Sequence, residues 1–197
     1  MPLDRNELRA RIDMTRSSDM LRGSVFRALV GEVEKHLPLE DQRLVQIRKR
    51  YDKGALADLF NYPVSDWLEV LWDAADAVEP SYGTPVNALR AMGRAVADSF
   101  LSSVVGRLAQ SIGANKKPME MLFHAPAVYA SGASYGKRTP IRIDDRHGLL
   151  KIREDFAPAD YHVGMLQQGL GINGHKIQCK AHVYGLCEYD IEVEWVA

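Results

Sequence analysis

The sequence predicts an α+β fold, with a helical amino-terminal part followed by a four-stranded antiparallel sheet in the order β-β-α-β-β, packed against helices. Two observations predict it. Apolar residues recur at helical spacing from about Ser24 to Gly136 and then switch to a period of two. The alternation is cleanest from His175 to Ala197. There Ile177, Cys179, Ala181 and Val183 form the apolar side of one strand, Cys187, Tyr189, Ile191, Val193 and Trp195 form that of the next, and the residues between them are mostly polar. A chain of 197 residues supports one substantial core rather than two, so residues 1–20 read as an arm and residues 21–197 as a single α+β domain.

The arm holds one short amphipathic run, Leu8 to Ile12, and is otherwise polar, which predicts loose docking. Phe26, Leu29, Val30, Val33 and Leu37 mark the first long helix, stopped by Pro38. A second, around Asp41 to Tyr51, buries Leu44 and Ile47 and exposes Arg48, Lys49 and Arg50. Pro63 starts a third, faced by Val64, Trp67, Leu68, Leu71 and Ala75, before Pro80 and Gly83 break it. The longest helix is predicted from Pro85 to Ile112. Gly93 and Gly106 inside it each cost about 1 kcal/mol against Ala, so close packing on a neighbour is the expected compensation. A turn from Asn115 to Pro118 leads to a less regular helix through Leu122 and Tyr129, ending near Gly136.

Thr139, Ile141 and Ile143 then alternate, Asp144 to Gly148 turn the chain, and Leu150 and Ile152 continue on a second strand. A helix from Pro158 carries Tyr161, Met165, Leu166 and Leu170, and Gly171 closes it. In the final hairpin a three-residue turn, Tyr184-Gly185-Leu186, pairs Val183 with Cys187 and keeps both apolar sets on one side. That register sets Lys180 opposite Asp190, His182 opposite Glu188 and Lys176 opposite Glu194.

With 25 basic against 26 acidic residues and a net charge of −1, the chain has no global field for nucleic acid or anionic membrane. No apolar run reaches the roughly 18 residues a membrane span needs, and a cytoplasmic protein is expected. The two cysteines make no disulfide framework, and the predicted register holds them about 13 Å apart, beyond the reach of a bridge. The Gly169–Gly174 stretch satisfies G-x-G-x-x-G, yet it follows a helix and precedes a strand, the reverse of what dinucleotide binding requires. No nucleophile with a base, carboxylate pair or phosphate loop stands out, and a non-enzyme is expected.

Six strings occur in order: LRGSVFRAL from Leu21, NYPVSDWLEVLWDAAD from Asn61, ALRAMGRAVADSFLSSVVGRL from Ala88, SYGKR from Ser134, REDFAPADYHVGML from Arg153 and GLCEYDIEVEW from Gly185. Together they resemble a DUF2378-like family multiplied in myxobacterial genomes, over about residues 20 to 195. That family is similar to the superfamily of haem-nitric-oxide-binding (H-NOX) domains, 4-vinyl-reductase-type small-molecule sensors and Bet3-like subunits of the TRAPP tethering complex. The resemblance implies the fold already read from periodicity, and either ligand sensing or structural assembly as the role.

It also frames the candidate sites. Haem-binding relatives use Tyr-x-Ser-x-Arg with an upstream axial histidine, whereas this chain has Ala133 at the arginine position of Tyr129-Ala130-Ser131-Gly132-Ala133 and no upstream histidine in the long helix. Haem is therefore not expected. The 4-vinyl-reductase-type sensors carry a C-x7-C hairpin, which makes Cys179 and Cys187, with His124 as a third ligand, the candidate zinc set; the opposing reading is two small core thiols. Trp67, Trp72, Phe100, Tyr129 and Tyr161 would face the junction of helices and sheet, with Gly93, Ala97, Ala130, Gly132 and Ala133 leaving space there and His124, Tyr129, Ser131 and His162 supplying polar groups. That set describes a pocket for a small apolar molecule, or a filled core in which small residues let helices approach. The first functional expectation is a sensory or regulatory module with a small apolar ligand, a protein partner and no resident cofactor. The alternative is a Bet3-like interaction protein that works as a homodimer without a ligand.

Overall fold

In the computed structural model, which describes residues 3–51, 60–103, 106–107 and 117–196, seven α-helices combine with a two-stranded and a four-stranded antiparallel sheet. The predicted α+β class and four-stranded antiparallel sheet are observed, and the two-stranded sheet is additional. Helix α1 (Arg5–Asp13) starts at Asp4, whose carboxylate accepts the Asn6 N–H at 2.8 Å. It is docked rather than loose. Arg11 lies buried with its guanidinium donating to the carbonyls of Phe156, at 3.1 Å, and Leu186, and Leu8 joins the core. The amphipathic run was too short to signal this, because one arginine anchors it to backbone distant in sequence.

Strand β1 (Met20–Arg22) leads into α2 (Gly23–Glu34), then α3 (Gln42–Tyr51), and β2 (Asn61–Pro63) pairs with β1 before α4 (Val64–Tyr82). Two of the basic residues of α3 are paired with neighbouring helices, Arg48 with Glu34 and Arg50 with Glu69. Helix α4 absorbs Pro80 in its last turn and stops at Gly83, which adopts φ +80°. Helix α5 (Pro85–Ser102) is capped by the Thr84 hydroxyl. It breaks where a longer helix was predicted. The Ser103 hydroxyl donates to Phe100 O at 2.6 Å and accepts the Gly106 N–H at 3.0 Å, which ends one helical turn and caps the next. Most of the remainder of that predicted helix, with Val104 and Leu108, and the first half of the predicted Asn115–Pro118 turn lie outside the described residues.

Helix α6 (Pro118–Ala130) ends earlier than predicted, with Ser131 Oγ donating to Val128 O. The loop after it is held by β1 through Arg22 N to Gly132 O at 2.9 Å and Ser134 N to Met20 O at 3.0 Å. Strands β3 (Lys137–Arg142) and β4 (His147–Arg153) form a hairpin, α7 (Ala159–Leu170) crosses over, and β5 (Lys176–Gly185) and β6 (Glu188–Val196) form the last hairpin, giving the sheet order β3-β4-β6-β5. The inward face of β3 differs from the predicted one. Arg138 and Pro140 stand opposite the buried Ile152 and Leu150, while Ile143 is exposed.

The final hairpin keeps its predicted buried face and changes its register. Val183 pairs with Tyr189, Lys180 with Glu192 and His182 with Asp190, around a tight turn at Leu186 and Cys187. A two-residue turn alone would flip one strand. The irregularity between Val183 and Gly185 inserts Tyr184 as an extra residue and restores the alternation.

Tyr189, Ile191 and Val193 are buried beneath α7, so the greasy side of the sheet is roofed as predicted. The roof is α7 with α6, and α5 packs on the outer side of α7, making three layers. A methyl group built at Gly93 would collide with the Tyr161 carbonyl and sit 2.9 Å from Met165 N, and one at Gly164 would strike the Arg90 backbone. The two glycines are the contact points where α5 and α7 cross. They close space there instead of opening it.

Candidate functional site

Beneath the α5–α7 crossing, several segments bring charged and aromatic side chains together away from water. The inward-facing position on β3 supplies Arg138, a site where the strand pattern calls for an apolar residue. At the end of β4, Glu154 adopts a left-handed conformation with φ +56°, and Asp155 follows it completely buried. Pro158 then sets the start of α7, whose first turns present Tyr161 and His162 inward.

The Asp155 carboxylate forms an ion pair with the Arg138 guanidinium, accepts the Ala157 N–H at 2.9 Å and lies 3.1 Å from His162 Nε2. Arg138 stacks on Tyr129, 3.0 Å from the ring centroid. The His162 ring has Tyr129, Tyr161 and Tyr189 at centroid distances of 5.6, 5.1 and 5.7 Å, and Trp67 meets Tyr161 edge-on at 5.2 Å. Burial alone would raise the Asp155 pKa, but the charges of His162 and Arg138 and the hydrogen bonds outweigh it and hold the carboxyl well below its usual range. Burial pushes the Tyr129, Tyr135, Tyr161 and Tyr189 phenols up, so they stay neutral.

Several polar atoms in this cluster are not satisfied by the protein. Tyr135 Oη, Arg138 Nε, His162 Nε2 and Trp67 Nε1 are buried without an aligned hydrogen-bond partner, and such atoms ordinarily find water or a ligand. A cavity of about 180 Å³ adjoins two of these residues, Tyr135 and Arg138, and is otherwise lined by Pro126, Ala130, Ala133, Ser134 and Gly136.

Of the residues singled out from sequence, the structure brings Trp67, Tyr129, Tyr161 and His162 together. It leaves the others elsewhere. Trp72 is buried against α1, donating to Asp4 O at 3.1 Å. Phe100 closes the last turn of α5, while His124 and Ser131 are exposed on and just after α6. The zinc set does not converge. Cys179 pairs with Val193 on the α7 side of the sheet and Cys187 sits in the hairpin turn beside Met14, six strand residues or about 20 Å further along. Burial pushes the Cys179 thiol up to about 12 and raises Cys187, the opposite of what a thiolate ligand needs. Arg138, Asp155, Tyr135 and Tyr189 were missed by sequence reasoning, although the strings SYGKR, REDFAPADYHVGML and GLCEYDIEVEW contain all four.

Residues 14–196 match the family model described as protein of unknown function, DUF2378. The chain belongs to the DUF2378 family. No curated protein matches this DUF2378 chain. Among solved structures it is similar in fold to an Fe(II) unliganded H-NOX protein from K. algicida, with 13% identity, TM-score 0.68, and 90% of this chain and 97% of that one covered. It is also similar to an H-NOX protein from S. oneidensis in the Fe(II)NO ligation state, with 12% identity, TM-score 0.68, and 90% and 100% covered. A third is an oxygen-binding H-NOX domain related to soluble guanylate cyclases, with 9% identity, TM-score 0.63, and 89% and 95% covered. At these identities the likeness concerns the fold. Among the described residues no helix is long and apolar enough to cross a membrane.

The H-NOX fold implies haem, and the residues of the DUF2378 chain do not fit it. Its six histidines are at 36, 124, 147, 162, 175 and 182, so neither α4 nor α5 offers an axial histidine. The guanidinium that reaches Tyr129 is Arg138, committed to Asp155, and His162 Nε2 lies against the same carboxylate. Backbone contact at Gly93 and Gly164 also seals α5 onto α7.

Proposed function

We propose that this protein is a non-enzymatic sensory or regulatory module that takes a small molecule at the Tyr129–Tyr135–Arg138–Asp155–His162 cluster through the adjoining cavity. The observation that carries the reading is the pair of unsatisfied buried polar atoms, Tyr135 Oη and Arg138 Nε, on residues that line about 180 Å³ of open volume beside the aromatic cluster. That volume is below the 300 to 1,000 Å³ of drug-sized pockets, so the ligand has few heavy atoms. It presents an apolar body to Pro126, Ala130 and Ala133 and a hydrogen-bond acceptor to Arg138 or Tyr135. The cluster joins β3, the β4–α7 junction and α7, so occupancy there biases how the sheet sits on α7. Native mass spectrometry of freshly purified protein tests it. A small bound mass that disappears in Ala130→Leu, a change that fills the cavity from the exposed end of α6, supports the reading; a ligand-free wild type, or a bound mass untouched by Ala130→Leu, defeats it.

A second reading, protein–protein association, is favoured by α6. The helix is almost wholly apolar, yet only Pro118 and Leu122 are buried, and Phe123 and Val128 are 49% and 41% exposed. On this reading α6 pairs with a second copy of the chain. Sedimentation of wild type against Phe123→Lys separates a dimer held by α6 from a monomer.

A further inference from the structure

The face of the sheet that points away from α7 carries a separate group of ligating side chains. Glu192 and Glu194 are two apart on β6 and so share that face, and His147 of β4 stands directly opposite Glu194. One ring nitrogen of His147 and one carboxylate oxygen from each glutamate all lie within 4.8 Å of one another. We propose that His147, Glu192 and Glu194 form a binding site for a divalent transition-metal ion of zinc type, with His182 holding Glu192 in place.

Three features point to an ion rather than to a solvated ion-pair face. His147 Nε2 is 2.8 Å from Glu192 Oε1 but not aligned with it, and the atom is buried without another hydrogen-bond partner. Two ligands each about 2.0 to 2.1 Å from a common ion lie roughly 2.9 Å apart at a right angle and about 3.4 Å apart at the tetrahedral angle, so the histidine and Glu192 need almost no movement to share one. The other oxygen of Glu192 is 3.0 Å from His182 Nε2, the kind of support from behind that fixes a ligating carboxylate. Beside the group is a cavity of about 270 Å³ lined by Asp144, Arg146, His147, Gln178, Glu194, Trp195 and Val196, which leaves room for water or a further small ligand on the ion. One imidazole with two carboxylates suits a borderline cation over Mg²⁺ or Ca²⁺, which prefer all-oxygen sets.

Isothermal titration of the untagged full-length chain in metal-free buffer, with Zn²⁺, Co²⁺ and Mg²⁺ as probes, tests the site. The expected result is one Zn²⁺ per chain, visible d–d absorption on Co²⁺ loading, and much weaker Mg²⁺ binding. His147→Ala and the isosteric Glu194→Gln should each weaken Zn²⁺ at least 100-fold on the order-of-magnitude scale of losing a direct ligand, and His182→Ala by about 10- to 100-fold. Glu188→Gln, on the same strand outside the group, should leave affinity unchanged. Circular dichroism and the metal-free thermal midpoint verify that each variant is folded, which the partly exposed positions favour. Absence of Zn²⁺ binding, binding indifferent to both His147→Ala and Glu194→Gln, or Mg²⁺ binding as tight as Zn²⁺ would overturn the proposal.

Discussion

Gly93→Ala tests the close crossing of α5 on α7, the feature that decides how much room the helical layers leave. In the middle of α5 the substitution gains roughly 1 kcal/mol of helix propensity. Against that, the new methyl sits 2.9 Å from Met165 N and closer still to the Tyr161 carbonyl, both backbone atoms of a buried helix that cannot swing aside. Relief requires α7 to move by on the order of 1 Å. Its inner face carries Tyr161, His162, Val163 and Leu166, so the shift disturbs the sheet core and the polar cluster together. Overpacking of this type costs about 1 to 3 kcal/mol and more where backbone must move. A net loss of about 2 kcal/mol is expected, equivalent to a fall of roughly 4 to 8 °C in thermal midpoint for a chain of this length. Gly31→Ala is the internal control. Gly31 lies within α2 with nothing inside 4 Å of a built methyl, so that change should stabilise by about 0.5 to 1 kcal/mol. Thermal and urea unfolding followed by circular dichroism read both. A Gly93→Ala protein as stable as Gly31→Ala would mean that the two helices do not touch where described and that a slot exists between them.

Three further outcomes follow from the buried charges and thiols. Asp155→Asn leaves the Arg138 guanidinium buried without its counter-charge and should cost about 3 to 5 kcal/mol at pH 7 by urea unfolding. Because the Asp155 pKa is depressed in the folded state, its contribution is complete above the unfolded value near about 4 and is lost as pH falls through the folded value. Wild type should therefore lose stability below about pH 4 by up to roughly 1.4 kcal/mol per pH unit more than Asp155→Asn, and equal slopes would refute the assignment. Cys179, pushed up to about 12 by burial, and Cys187, raised by burial, should react with a thiol reagent only on unfolding, and prompt labelling of the native protein would contradict that packing.

How far the sequence could be read depended on whether the governing interaction was local. The alternation of Tyr189, Ile191 and Val193 announced a strand and its buried side, because period two is a property of consecutive residues. The hairpin register was a matter of one extra residue at Tyr184, which the same alternation accommodates with either turn. Strand β3 was misread for a related reason. Thr139, Ile141 and Ile143 alternate more convincingly than Arg138 and Pro140, and only the partner Asp155 makes an inward arginine tolerable. Asp155 gave no periodic signal at all, since it lies in the irregular link between β4 and α7. The docking of α1 was hidden in the same way, its anchor being Arg11 bonded to carbonyls at Phe156 and Leu186.

The buried cluster also bears on which reading of the fold is physically economical. An Arg–Asp pair taken out of water regains little more than its desolvation cost, and well-packed apolar side chains of the same volume commonly serve stability as well or better. Here the pair is fully buried, His162 is added to it, and Tyr135 Oη, Arg138 Nε and Trp67 Nε1 are left without aligned partners. An arrangement selected for stability alone would pair those donors or replace them. Retaining them where Tyr135 and Arg138 line a cavity is the arrangement expected when those donors serve something other than stability, which is the physical ground for the proposed small-molecule site.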